Sequence, residues 1–269
     1  MSARRNTLAA LRGTIDRLEG DADGLSRVAL GHAGADAMLQ GGLVRGAVHE
    51  VFAEAGRHGT AATGFIAGLA HRVARHRPLV WVRQDFTEIE SGALSMHGLA
   101  ELGLDPRRVV MVRAVDAESA LRVAADAIAC DALGCVVLDV WGEVRALDLV
   151  ASRKLTLAAR ASGVTVLISR IAAAPSASTA ETRWIVRAAH SPPGLEAWDM
   201  KASDMKAWGM PMLDTQLVRN RHGPTGQWIM EWNCDECFFR ERAAYSQSLA
   251  AAPADRQIET PVLAQRRAG

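Results

Sequence analysis

The 269-residue sequence is poor in the features that mark several large classes of protein. It has four Cys, too few for a disulfide scaffold, and no apolar run that approaches the roughly twenty residues a membrane span needs. Excess charge is also absent, because 31 Lys and Arg stand against 30 Asp and Glu, a formal net charge of +1. A net charge near zero weakens the electrostatic attraction of the whole surface to nucleic acid, although a local basic patch could still bind it. Since the N-terminus also lacks an apolar signal core, we expect a cytoplasmic protein without membrane contact.

Apolar strands alternate with amphipathic helices across the first two thirds of the chain. The predicted strands are 47–52, 78–82, 108–112, 135–140 and 164–169, and the predicted helices are 60–75, 94–102, 117–130 and 147–161. This alternation is typical of an α/β fold with a mainly parallel sheet covered by helices on both faces. Three later segments alternate with period two and have no helix between them, namely 182–188, 213–219 and 227–232. They predict an antiparallel β extension.

The two ends of the chain differ from this core in pattern. Leu8, Leu11, Ile15 and Leu18 recur at helical spacing, and a Gly- and Asp-bearing stretch follows. Residues 1–40 are therefore predicted to be an N-terminal helix and linker. Residues 246–269 are rich in Ala, Pro, Gln and Arg without periodicity, which predicts a flexible, disordered tail. The main domain is expected over residues 41–245, with its β extension from about residue 180.

The turn after the first strand of the domain lies where an α/β nucleotide-binding protein places its phosphate loop. Such a loop needs a Gly-rich backbone, a Lys for the terminal phosphates and a Ser or Thr hydroxyl for magnesium. Here the turn from Ala53 to Thr60 has no Lys after Gly59, is one residue too long, and carries Glu54, which would repel a phosphate. We therefore predict a degenerate loop that keeps the fold without binding a nucleotide, and no cofactor.

Two carboxylates occupy positions that fit the rest of an ATPase. Asp139 follows an apolar strand where a magnesium-coordinating Asp would lie, and Asp85 is placed to polarise a water. With Gly59 and Thr60 they form the candidates for a degenerate nucleotide site; the alternative is that both carboxylates cap helices or bind loops at strand ends. No catalytic or metal-binding residue is predicted, since Cys234 and Cys237 supply only half of a zinc site.

Tryptophan is unusually frequent, with seven Trp against one Tyr, and most lie in the second half of the chain. Burial is the usual fate of Trp, but Trp and Arg also dominate binding hot spots. The basic residues that interleave with Trp in the predicted extension are Arg183, Arg187, Arg219, Arg221 and His222. The residues predicted to bind a partner are Trp184, Arg219, Arg221, Trp228 and Trp232. The alternatives are single-stranded DNA, or a solvated strand face with Trp in the core.

The order of these pieces resembles a known protein family. The matching segments are 11–19, 46–51, 103–106, 152–155, 182–184 and 219–223, followed by Trp228 and 231–232. Together with the positions of Asp85 and Asp139 they resemble the RecA-like core. More specifically, the chain is similar to the ImuA family of RecA-like accessory factors of inducible bacterial mutagenesis. The resemblance spans most of the chain by order and spacing.

The resemblance implies a non-catalytic role in the SOS response to DNA damage. Members of that family act with an ImuB-like, Y-family-related protein that lacks polymerase activity and with an error-prone replicative-type DNA polymerase. Together they carry out translesion synthesis, which is part of DNA repair and mutagenesis. Self-association is also expected, because the N-terminal helix resembles the segment through which RecA protomers pack. DNA contact is expected to be weak or indirect, since the segment between Ile171 and Thr182 has no Arg or Lys.

Two other functions are considered beside the accessory role. The first is an active RecA-like, DNA-dependent ATPase that remodels filaments of protein on DNA. The second is inhibition of cell division, a name that some relatives carry. The missing phosphate-loop Lys argues against the first, and no residue pattern favours the second.

Overall fold

The computed structural model describes residues 26–191 and 209–241. The strands in this part of the chain are β1 (Arg27–Val28), β2 (Leu43–Val44), β3 (Val48–Ala53), β4 (Leu79–Gln84), β5 (Val109–Ala114), β6 (Cys135–Trp141), β7 (Thr165–Ile171), β8 (Thr182–Ala188), β9 (Met212–Asn220), β10 (Gly226–Asn233) and β11 (Phe238–Glu241). The α-helices are α1 (Ala33–Met38), α2 (Gly59–Ala74), α3 (Asp85–Ser91), α4 (Met96–Glu101), α5 (Ala117–Ile128) and α6 (Leu149–Ser162). Short 3₁₀ turns cover Gly56–His58 and Pro106–Arg108.

One nine-stranded sheet organises the molecule, in the order β5-β4-β6-β7-β3-β8-β9-β10-β11. The strands from β5 across to β8 run parallel, and β9, β10 and β11 continue the same sheet in antiparallel fashion. Strands β1 and β2 form a separate antiparallel pair. The predicted α/β class, with a mainly parallel sheet flanked by helices, is confirmed.

Hydrophobic clusters cover both faces of the sheet because successive strand residues point to opposite sides. Val137 packs in the cluster around α2, whereas its neighbours Val136 and Leu138 pack with α5 and α6. Helix α2 is buried along most of its length. Among the described residues, no helix has both the length and the apolar character that crossing a bilayer demands.

The described part of the predicted linker belongs to the domain. Leu30 and Ala35 are fully buried, and the Asp36 carboxylate accepts hydrogen bonds from the backbone N–H groups of Leu30 and Gly31 at 2.7 and 2.8 Å. The domain therefore includes residues from Ser26 onward, which corrects the predicted boundary at residue 41. The predicted N-terminal helix and the predicted tail lie outside the described residues.

The predicted β extension is also part of the main sheet. Strand β8 pairs parallel with β3, so the antiparallel part begins only with β9. Met230 and Phe239, from β10 and β11, are buried in the same cluster as α2. The sequence pattern did not reveal α3 or β11.

Candidate functional site

The candidate nucleotide residues lie at the carboxyl ends of the central parallel strands. Asp139 is near the end of β6, Asp85 follows β4, and Gly59 and Thr60 open α2 after β3. The chain leaves β4 outward to β5 but leaves the neighbouring β6 inward to β7. In open α/β sheets, ligands usually bind outside the carboxyl ends of the strands at such a reversal. The fold thus places the candidate residues where ligands usually bind, and the chemistry there depends on their side chains.

Asp139 is held in a buried ion pair. Its carboxylate lies 3.2 Å from Nε of Arg83, which is opposite it in the register of β4 and β6. Both side chains are buried, and Nη2 of Arg83 also donates to Oγ of Ser91 at 2.7 Å. Burial raises the pKa of Asp139, and the positive charge of Arg83 acts in the opposite direction. Arg83 therefore balances the charge of Asp139 within the protein.

Asp85 is engaged by a second arginine. One carboxylate oxygen accepts a hydrogen bond at 3.0 Å from Nε of Arg113, which also lies 3.5 Å from Glu88. These contacts join the start of α3 to the end of β5. Asp85 therefore takes part in a solvent-accessible ion pair at the carboxyl end of β4.

The loop in the phosphate position packs against Trp141. A Cβ added at Gly56 would lie 2.9 Å from Cη2 of Trp141, so the indole rests on the backbone of the turn. The Trp141 backbone N–H donates to Oε1 of Gln84 at 3.3 Å, which ties this residue to β4. The indole thus covers the backbone of the turn at Gly56.

The groups around this loop have other partners. Glu54 forms an ion pair with Arg187, and Nδ1 of His58 accepts a hydrogen bond at 3.3 Å from the Ala188 N–H. The Thr60 side chain is exposed at the start of α2. Among the described residues at this edge, two arginines are buried: Arg83, which lies against Asp139, and Arg170 of β7, which lies 3.7 Å from Glu143.

Sequence reasoning missed Arg83 and Trp141. Arg83 interrupts the apolar strand β4 and shares a strand face with Trp81, a pattern that signals a buried charge in need of a partner. That the partner is Asp139 depends on the pairing of β4 with β6. No sequence signal identified the position of Trp141 against Gly56.

Two of the predicted partner-binding tryptophans are in the core. Trp184 is 0% exposed, and its indole N–H donates to Oγ1 of Thr182 at 3.1 Å. Trp232 is 1% exposed and donates to the Leu102 carbonyl at 3.2 Å. The predicted interface is corrected for both, because a buried side chain offers a partner no contact area. Trp228 is half-buried, with its ring against those of His32 and Trp184.

The basic residues of the predicted extension mostly have acidic partners. Arg183 pairs with Glu50 at 2.9 Å, Arg187 pairs with Glu54, and His222 lies 2.6 Å from Glu181. Nη1 of Arg219 donates to the Ser178 carbonyl at 2.8 Å, and Arg221 is exposed. The candidate partner surface in this region therefore reduces to Arg219, Arg221 and Trp228.

The segment between β7 and β8 is packed against the sheet. The Thr179 N–H donates to Oγ of Ser152 at 2.8 Å, and the Thr179 and Thr156 hydroxyls are 2.7 Å apart. Ser178 donates to the Glu50 carboxylate at 2.7 Å. These bonds attach the segment to α6 and β3, which makes it a structural crossover.

Within residues 26–191 and 209–241, no cluster of three or more His, Cys, Asp or Glu side chains is suited to hold a metal ion. Cys234 and Cys237 are free thiols, and burial raises the pKa of Cys234 to about 11. Comparison with known proteins assigns no family, because no family model matches the chain and no curated protein matches it.

Proposed function

We propose that this chain is a non-catalytic RecA-like accessory protein of the ImuA type. In this proposal it takes part in translesion synthesis after DNA damage, and it binds an ImuB-like protein and an error-prone replicative-type polymerase. The proposal rests on the sequence resemblance and on the side chains at the carboxyl ends of the central strands.

The observation that carries the non-catalytic part is the buried Arg83–Asp139 ion pair at 3.2 Å. A magnesium-dependent ATPase needs a free carboxylate at this position and a cation facing the terminal phosphates. Here the guanidinium of Arg83 and the carboxylate of Asp139 neutralise each other across the adjacent strands β4 and β6. The packing of Trp141 against Gly56 supports this part of the proposal, because a bulky ring beside the loop hinders the approach of a phosphate.

A surface for protein contact lies at one edge of the sheet. Among the described residues β5 pairs only with β4, so its other side leaves backbone groups unpaired. Val110 of β5 is 51% exposed, and Ile89 of the adjoining α3 is 76% exposed. An open edge with apolar neighbours favours strand addition by a partner or by a second copy.

Titration calorimetry with magnesium and ATP, with and without single-stranded DNA, tests the non-catalytic role. We expect no saturable heat in either condition. Saturable binding that is lost in the Thr60→Ala variant would contradict the proposal in favour of an active ATPase. Thr60 is exposed, so this variant keeps the fold and reports on the nucleotide site alone.

Co-purification tests the accessory role. The full chain should retain an ImuB-like protein, and the Val110→Lys variant should retain less, because a charge on an edge strand opposes strand addition. Leu157→Lys is the matched control, since Leu157 is a comparably exposed apolar residue, 57%, on α6. Failure of the wild-type chain to retain any such partner would overturn the role.

A further inference from the structure

A groove of about 1100 Å³ lies at the amino ends of β4 and β5, at the opposite end of these strands from the nucleotide position. Its walls come from the end of α2, the segment that leads to β4, the start of β5 and the β1 region. Five arginines line it: Arg27, Arg72, Arg75, Arg77 and Arg108. In a chain of net charge +1, this is a strong local concentration of positive charge.

Three of the groove's arginines, Arg27, Arg72 and Arg77, donate to neutral acceptors, whereas Arg108 also pairs with Asp105 at 3.4 Å. Arg72 donates twice to the Ala29 carbonyl, at 3.0 and 2.8 Å, and Nε of Arg77 donates to the Ala132 carbonyl at 3.3 Å. Nη1 of Arg27 donates to the Leu39 carbonyl at 3.0 Å. Carbonyl oxygens orient a guanidinium without cancelling its charge. By contrast, Arg183 and Arg187 pair with glutamates, whose negative charge cancels theirs.

The two carboxylates among the described lining residues, Asp36 and Asp105, balance only part of the charge of the five arginines. Asp36 is occupied by the backbone N–H groups of Leu30 and Gly31, and Asp105 is shared between Arg107 and Arg108. Burial lowers the pKa of the adjacent Arg45, and the positive charges of Arg75 and Arg77 lower it further. Like charges held together in this way favour an anionic ligand.

The floor of the groove indicates which kind of anion fits. It is aliphatic, with Val28, Leu79, Leu104 and Val109 among its lining residues. No Trp, Tyr or Phe is among the described residues that line it, so bases of a nucleic acid would find no aromatic stacking platform. An arginine rim over an aliphatic floor suits carboxylates interspersed with apolar side chains, since guanidinium binds carboxylate in a bidentate manner.

We propose that this groove, called the arginine groove below, binds an acidic segment of a partner protein in which Asp or Glu alternates with aliphatic residues. The carboxylates contact the arginines, and the aliphatic side chains cover the floor. The proposal goes beyond the accessory role and does not depend on the translesion partners, so each can fail without the other.

Fluorescence anisotropy with a labelled short peptide that alternates Glu with Leu tests the proposal on the full chain. We expect saturable binding that weakens roughly tenfold in the Arg75→Gln/Arg77→Gln variant, which loses two of the groove's charges. Both side chains are exposed, so the variant keeps the fold, and an unchanged thermal melt verifies this. Binding that is unchanged in the variant would overturn the proposal.

Matched controls separate the groove from charge in general. The Arg153→Gln/Arg160→Gln variant removes the same charge from exposed positions on α6 and should bind the peptide as tightly as the wild type. Equal weakening by this control would show non-specific attraction and overturn the proposal. A Glu–Ser peptide should bind more weakly, and equal binding would refute the role of the floor. Oligothymidylate that binds more tightly than the peptide, and is lost in the groove variant, would reassign the groove to nucleic acid.

Discussion

Arg83 and Asp139 illustrate how one side chain changes the chemistry of another. An isolated carboxylate at the end of β6 would attract a cation from solution, but Arg83 supplies one from the adjacent strand. Burial makes the pair strongly interdependent, because removal of one partner leaves the other charged and without water. We therefore expect that the loss of either partner alone destabilises the fold.

The Asp139→Ala variant should lower the free energy of unfolding by about 3–5 kcal/mol, because it leaves Arg83 buried and uncompensated. An apolar replacement of both, Arg83→Met with Asp139→Leu, should cost less, since no charge is then buried. Urea denaturation of the two variants measures the difference. Equal losses would mean that the two side chains are not coupled.

His49 makes the stability depend on pH. It is fully buried, its Nε2–H donates to the Val44 carbonyl at 2.9 Å, and its Nδ1 is 2.8 Å from Oγ1 of Thr182. Since Trp184 donates to the same hydroxyl, that hydroxyl can donate to Nδ1, which requires neutral imidazole. Burial lowers the pKa of His49 from 6.5 to about 4.

Between these two pKa values the unfolded chain binds a proton that the folded chain does not. The His49 contribution is therefore complete above pH 6.5 and is lost as the pH falls towards 4, a loss of about 3 kcal/mol. Urea denaturation across this range should give a shallower pH dependence for His49→Gln than for the wild type. Identical slopes would contradict the assignment.

At the scale of elements, helix α2 packs closely on the antiparallel end of the sheet through a glycine. A Cβ at Gly68 would lie 2.7 Å from Phe239 and 2.9 Å from Trp232, whereas a Cβ at Gly64 on the same helix would meet nothing within 4 Å. The two positions share a helix and differ in their surroundings. They form a matched pair for testing the packing.

Gly68→Ala should destabilise the fold by about 1–3 kcal/mol, because the added methyl forces large rings apart. Gly64→Ala should stabilise it by up to about 1 kcal/mol through helix propensity. Thermal denaturation of both variants checks the prediction. A stabilising Gly68→Ala would show that α2 and β10 do not pack as closely as described.

Strand β5 offers a second location for self-association, beside the N-terminal helix for which the sequence predicted it. Its six residues form a free edge among the described residues, with Val110 exposed. Sedimentation velocity should show dimers or larger species of the wild type that diminish in Val110→Lys and persist in Leu157→Lys. Association that survives Val110→Lys would remove β5 as the contact.

At the scale of the whole molecule, the last three strands are required by the core. Leu213, Leu217, Met230 and Trp232 are buried in the cluster that contains α2. A chain that ends before Leu213 would uncover this face of the sheet and lose large apolar areas from burial. The C-terminal strands are therefore unsuited to removal as a separate binding module.

The truncated chain should show no cooperative unfolding transition and should bind a hydrophobic dye. Circular dichroism during heating and dye fluorescence measure the two properties, with the full chain as control. A truncated protein that melts cooperatively would mean that β9, β10 and β11 form a separable unit. Partner binding by the truncated protein could then be compared with that of the full chain, because both would be folded.

Local pattern was sufficient to locate most of the elements. Strands β3 to β8 begin and end within about two residues of their predicted bounds, because apolar runs bounded by turns specify strands locally. Helix α3 was not predicted, because its apolar residues Phe86 and Ile89 are exposed and the helix has no long apolar stripe facing the core. Strand β11 is four residues long, too short for an alternation to be recognised.

The sequence by itself determined the α/β class, the lack of a Lys after Gly59 and the position of Asp139 near a strand end, because each depends on neighbours along the chain. Only the tertiary structure decided that Arg83 neutralises Asp139, that Trp184 and Trp232 lie inside, and that five arginines converge on one groove. These facts depend on which strands lie side by side. Strand order is set by the burial of the whole sheet, which no local pattern contains.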